Sequence, residues 1–264
     1  MARRGFHPVA RRLTSPMPRL LFSLLMLSAA TSVRAEPCET VILLHGLGRT
    51  RWSFWRVEQA LRHDGYSVIN LTCPSRTHSI EDLARDYLAP LIAAQGAAPR
   101  LHFVTHSMGG IVLRCYLRDH PLPNLGRVVM LAPPNAGSEL ADRLKPTRLY
   151  RTVNGPAGQQ LGTAGLPREL GPWPAGAGEL GIIAGDRSLN PLFSSWLPGP
   201  SDGKVTVAST RLEGMTDFIT VRSSHTWLAW RSDVIRQIRA FLHSGRFNRP
   251  ATDPVRQFRA APPA

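Results

Sequence analysis

Short apolar, β-branched runs alternate with longer stretches of helical periodicity through the first half of this chain, and that alternation restricts what it can fold into. Residues 40–45 form such a run, followed by a Gly-containing turn and a helical pattern over 52–63. Ser67–Leu71 is followed by a helical pattern over 80–94, and 101–105 by Met108–Asp119, with 127–131 as the next run. Short continuous apolar runs bounded by turns are the pattern of strands buried on both faces. Strands linked through helices run parallel, because each helix carries the chain back to the edge at which the previous strand began. The expected fold class is therefore α/β, a mostly parallel sheet with helices on both faces, whose ligands bind at the carboxyl ends of the strands.

The pattern breaks after Leu131. Residues 132–178 are rich in Gly and Pro, with short apolar pieces around Leu140, Leu144, Leu149 and Leu161. A connection this long is expected to be functional, here a mobile cap over about residues 133–178. Regularity returns with a strand at 179–184, a Pro-containing loop, a strand at 217–222 and a last helix from Thr226 to about His243. With 264 residues and 43% hydrophobic content the chain can bury one sizeable core. One domain is expected over 36–245, followed by a polar, Pro-containing tail at 246–264 that reads as disordered.

The first 35 residues differ in kind. Arg3, Arg4, Arg11, Arg12 and Arg19 precede an apolar run at 20–30, and small residues follow near Ala35. This is the layout of a secretory signal peptide over 1–35, with Met17 a second candidate start and an uncleaved membrane anchor the alternative. The expected location is secreted or periplasmic. Six arginines and no acids lie in this leader, so the formal charge of +14 falls to +8 on the rest. Lys145 and Lys204 are the only lysines, and no basic stripe interleaved with aromatics is present, so a nucleic-acid partner is not expected. A cationic exterior suits adsorption to an anionic membrane surface. Three cysteines remain beyond the leader, Cys38, Cys73 and Cys115. In a compartment that permits disulfides, Cys38–Cys73 is the favoured pair, with Cys115 a buried small apolar residue. No group has metal-ligand spacing, and neither a metal nor a cofactor is expected.

The chemistry concentrates where the third run ends. In residues 101–110, LHFVTHSMGG, a strand-forming segment stops on Ser107 before a helical one begins. Such a turn strains the serine backbone and lifts the hydroxyl above the sheet end, which demands small residues two before and two after. Those positions hold Thr105 and Gly109, so the usual G-x-S-x-G is met except for Thr at the first slot.

Together with HGLG at 45–48, APPNAGSELAD after the fourth strand, SDGKV at 201–205 and SSHTWL at 223–228, this segment resembles the α/β-hydrolase family, and within it the small secreted bacterial lipases and esterases. The resemblance runs from Val41 to about Leu242, with Ser, Asp and His in the family's order. It implies acyl transfer. A serine hydroxyl is a weak nucleophile at neutral pH, so an imidazole must take its proton and a carboxylate must hold that imidazole. Ser107 is the nucleophile and His225, between the last strand and the last helix, the base. Asp202, in D-G-x-V at 202–205, is the preferred acid and Asp186 the alternative. The resemblance places the oxyanion donors at the backbone amides of Leu47 and Met108. It gives His45 a loop-positioning role, and His106 reads as pocket-lining or structural.

The expected substrate is a small-molecule or lipid ester. Trp52, Phe54 and Trp55 form either an apolar wall or an ordinary helix core, while Leu140, Leu144, Leu149, Trp173, Phe193 and Trp196 supply apolar surface if the cap covers the site. Two further readings compete with a monomeric serine esterase or lipase: a catalytically silent binding protein of the cell envelope, and an acyltransferase using the same triad.

Overall fold

The structure, a computed structural model, describes residues 38–96 and 98–249. The expected leader at 1–35 and the end of the expected tail lie outside the described residues. Six strands, β1 (Thr40–Leu44), β2 (Ser67–Leu71), β3 (Leu101–His106), β4 (Leu125–Leu131), β5 (Leu180–Gly185) and β6 (Asp217–Val221), form one sheet in the order β2-β1-β3-β4-β5-β6. Every neighbouring pair is parallel. The helices of the framework are α1 (Trp55–His63), α2 (residues 80–93) and α3 (Met108–Asp119). The middle turn of α2, Leu83–Leu88, is π-helical, directly before Pro90.

Alternate residues of each strand feed two cores. Val41, Leu43, Val104, Val129 and Ile183 pack on one face with Phe54, Leu61, Ile238 and Phe241. Ile42, Leu44, Phe103, Met130 and Ile182 pack on the other with Leu83, Leu88, Ile111 and Leu113. Burial on both sides is why these runs are continuously apolar rather than alternating.

The excursion after β4 is more regular than its Gly and Pro content implies. It holds three helices, α4 (Glu139–Leu144), α5 (Arg148–Gln159) and α6 (Leu166–Glu169). Ser138 caps α4 by accepting from the Ala141 amide at 3.2 Å, and Thr147 caps α5 by accepting from Tyr150 at 3.2 Å. At Gly155 (φ 60°) α5 bends, and a Cβ there would run into the Arg76 carbonyl. Ala157, Leu161 and Leu166 join the core, so much of the excursion is packed framework. Two short helices, α7 (Pro191–Trp196) and α8 (Val207–Thr210), follow β5, and α9 (Ser232–Ser244) ends the regular structure.

Two expectations are corrected. The Cys38–Cys73 bridge does not form, and all three cysteines are free. Cys38 precedes β1 and Cys73 follows β2, and since the two strands are parallel in register they stand at opposite edges of the sheet. The tail does not begin at Arg246. Phe247 is buried against Phe241, its amide donates to Asp217 Oδ2 at 2.8 Å, and Arg249 forms an ion pair with Asp217. The domain therefore extends at least to Arg249.

Candidate active site

The third strand ends in a strained turn. Ser107 has φ 53° and ψ −125°, and with Ala132 it is one of two non-glycine residues of positive φ among the described residues. Such a backbone costs about 1–3 kcal/mol and persists only where its surroundings over-determine it. Here the Ser107 amide donates to Leu131 O at 2.8 Å, continuing the β3–β4 ladder into the turn, and the Gly110 amide donates back to Ser107 O at 3.0 Å. A Cβ on Gly109 would collide with the carbonyls of Leu44 and His45, so α3 can start this close to β1 only with glycine two residues after the serine.

Thr105 is accommodated from the other side. Its side chain is fully buried, with no partner for the hydroxyl. A Cβ on Gly110 would lie 3.2 Å from Thr105 Oγ1, 3.2 Å from Met130 Sδ and 3.3 Å from Pro133 Cβ. Gly110 thus leaves the space that threonine fills, which sequence inspection of the G-x-S-x-G frame alone did not reveal.

The imidazole and its carboxylate come from the loops after β6 and β5. His225 Nδ1 lies 2.7 Å from Asp202 Oδ2, with both side chains almost wholly buried. The other oxygen, Oδ1, accepts the amides of Lys204 and Val205, each at 2.9 Å. The His225 amide also donates to the Asp202 carbonyl at 3.0 Å, tying the two loops together. Gly203, at φ 92°, permits the tight turn that aims two amides at one carboxylate. Asp186 is exposed, and its amide is bonded to Val221 O. Of the two candidate acids, Asp202 is the one held against His225.

Two other histidines fasten the loops around the site. His106 is buried, with its Nε2 3.0 Å from the His225 carbonyl and its ring 4.7 Å from the His225 ring. Burial first, and the nearby His225, lower its pKa well below 6.5, so it is neutral and donates through Nε2 to fasten the His225 loop. His45 Nδ1 lies 2.9 Å from Gly46 O, and its Nε2 accepts the Cys73 amide at 3.1 Å. Burial lowers its pKa as well, and it joins the loop after β1 to the loop after β2. The turn after β4 is fastened by buried Arg114, which donates to Asn135 O and Oδ1 at 3.2 and 3.1 Å. Burial lowers the Arg114 pKa to about 10.

Ser107, His106 and His225 open into a cavity of about 210 Å³ with Leu47 on its wall. Met108 is the first residue of α3, so its N–H has no acceptor within the helix. Leu140, Leu144 and Phe193 line the cavity as expected, joined by Tyr150, Asn154 and Leu161. The other apolar candidates do not. Trp173 is in the core, Leu149 is on the surface, and Trp196 stacks on Phe193 outside the lining. Phe54 packs in the core while Trp52 and Trp55 are exposed.

The alpha/beta hydrolase family profile matches residues 41–263. A rice (Oryza sativa) protein named probable esterase PIR7A aligns at 33% identity over 115 residues, 39% of this chain and 43% of that one. The alignment thus covers less than half of that relative. Among solved structures, the mature form of Bacillus licheniformis lipase BlEst2 superposes with a TM-score of 0.62 at 20% identity, over 78% of this chain and 91% of that chain. The metagenomic carboxyl esterase MGS0156 does so with a TM-score of 0.62 at 19% identity, over 72% and 65%. Identities this low speak to the fold. Because the profile match runs from β1 past the last helix, across this strand order and this elbow, the chain belongs to the alpha/beta hydrolase family.

Proposed function

We propose that this protein is a secreted serine esterase or lipase that cleaves carboxylic esters through an acyl-enzyme, with Ser107 as nucleophile, His225 as base and Asp202 as acid. The observation that carries the reading is the buried 2.7 Å contact between His225 Nδ1 and Asp202 Oδ2, behind a His225 that lines the cavity into which the strained Ser107 opens. A proton on Nδ1 leaves Nε2 as the acceptor. Ser107 Oγ attacks the ester carbonyl carbon as its proton passes to His225 Nε2, and the carbonyl oxygen becomes an oxyanion held by the amides of Leu47 and Met108. Collapse breaks the bond to the alcohol oxygen, which leaves with the proton from His225. Water then repeats the sequence on the acyl-enzyme, releasing the acid and restoring Ser107.

Ligand cavities generally run to about 300–1,000 Å³, and this one is smaller, which favours short or medium acyl chains among Leu140, Leu144 and Leu161. The exposed large apolar residues support work at a lipid surface. Trp52 and Trp55 follow β1, Leu149 and Val153 lie in the cap, Leu189 and Leu192 follow β5, and Trp227 follows His225. Trp52, Leu189 and Trp227 come within eight residues of the carboxyl ends of β1, β5 and β6, the edge at which Ser107 stands.

Covalent labelling of Ser107 by a fluorophosphonate, together with turnover of p-nitrophenyl esters of rising chain length with and without an alcohol acceptor, tests the reading. A folded protein that is neither labelled nor active would refute it. Asp202→Asn is expected to lower kcat by about 10³–10⁴-fold, as loss of the orienting carboxylate does elsewhere, and Asp186→Asn to change it little. The reverse pattern would move the acid to Asp186.

A further inference from the structure

The cavity that holds Ser107 and His225 is lined by two cations, Arg49 and Lys204, and by no carboxylate. Arg49 Nη2 donates to Thr226 Oγ1 at 3.1 Å, one residue beyond His225. Lys204 stands in the turn that holds Asp202, its carbonyl accepting from Ser138 Oγ at 2.8 Å. Both line the same cavity as His106 and His225. Among the described residues neither cation belongs to an ion pair. The carboxylate that Lys204 feels, Asp202, already accepts from His225 and two backbone amides.

Two like charges on the lining of one cavity repel, and the repulsion is relieved when a ligand brings the opposite charge. Arg49 and Lys204 stand on the lining of one and the same cavity, Arg49 partly buried and Lys204 open to solvent. We propose that Arg49 and Lys204 form an anion subsite, and that the preferred ester carries a carboxylate or phosphate group on its alcohol half. The side follows from the chemistry. His225 must hand its proton to the departing alcohol oxygen, so groups flanking His225 flank the alcohol, while the apolar wall of Leu140, Leu144 and Leu161 is left for the acyl chain. The inference rests on the hydrolase reading above.

The test is turnover of matched esters by the purified full chain: para-butyryloxybenzoate against its methyl ester, and butyryl glycerophosphate against monobutyrin. The anionic member of at least one pair is expected to have the higher kcat/KM by about tenfold, and the preference to shrink in about 1 M salt, where screening shortens to a few ångströms. The two pairs separate a carboxylate from a phosphate specificity. Arg49→Gln and Lys204→Gln are each expected to bring the anionic-to-neutral ratio toward one, and because the ratio is taken within one protein, loss of folded material cancels. Neutral esters turned over as fast as anionic ones by the wild type would overturn the subsite while leaving the hydrolase standing. A ratio undiminished in both variants would overturn the assignment to these residues. No turnover of any of the four esters, with Ser107 unlabelled, would instead overturn the hydrolase reading.

Discussion

Thr105 and Gly110 divide one small space between them, and that division explains how the elbow keeps its shape without the usual glycine. A methyl on Gly110 would press on Thr105, Met130 and Pro133 at 3.2–3.3 Å. Gly110→Ala should therefore cost about 1–3 kcal/mol, and Thr105→Gly should recover part of that loss. A double-mutant cycle by urea denaturation measures the coupling, and additive effects would refute it. Thr105 was visible in the sequence as a departure, but its compensation was not, because nothing in a linear reading shows that 105 and 110 meet across the turn. Protonation gives a second test at this scale. Burial keeps His45, His102 and His106 neutral in the fold, whereas the unfolded chain takes up protons near the ordinary value of 6.5. The unfolded state then binds more protons, so stability present above pH 6.5 is lost as pH falls from there toward the depressed folded values. The slope is at most about 1.4 kcal/mol per proton per pH unit. Denaturation midpoints across this range should show it, and His106→Asn should flatten the slope by about one proton.

Strands and cap helices were not equally legible. β2 and α3 stand where the apolar runs placed them, since a β-branched run between turns, even on a partly buried edge strand, and a helix leaving an elbow are specified by their own residues. The helices after β4 were obscured by glycines and prolines, although Ser138 and Thr147 are ordinary N-cap residues and carried the missing signal. Gly155 shows why composition misleads: it bends α5 over the Arg76 carbonyl instead of ending it. Gly155→Ala, which meets both positive φ and that carbonyl, should lose about 1–3 kcal/mol. It should also raise KM for esters, because Tyr150 and Asn154 just before the bend line the cavity. An unchanged melting temperature and KM would contradict this account of the bend.

Across the whole molecule, topology decides what local reading could not. The distance between Cys38 and Cys73 is set by the parallel direction of β1 and β2, so denatured, unreduced protein should titrate as three thiols, and a count of one would restore the bridge. Phe247 fills the space beside Gly181, where a Cβ would overlap its ring and that of Phe241. Phe247→Ala should destabilise the domain by about 3–5 kcal/mol, measured by denaturation, whereas a dispensable tail residue would leave stability unchanged. Arg249 is fastened to Asp217 at the start of β6, and Cys38 precedes β1, so both ends of the described chain leave the sheet at its amino edge. Ser107 stands at the carboxyl edge. Grafted to a bead, a display scaffold or a second enzyme through either end, the domain would hold its mouth outward, and such attachment should leave substrate access intact.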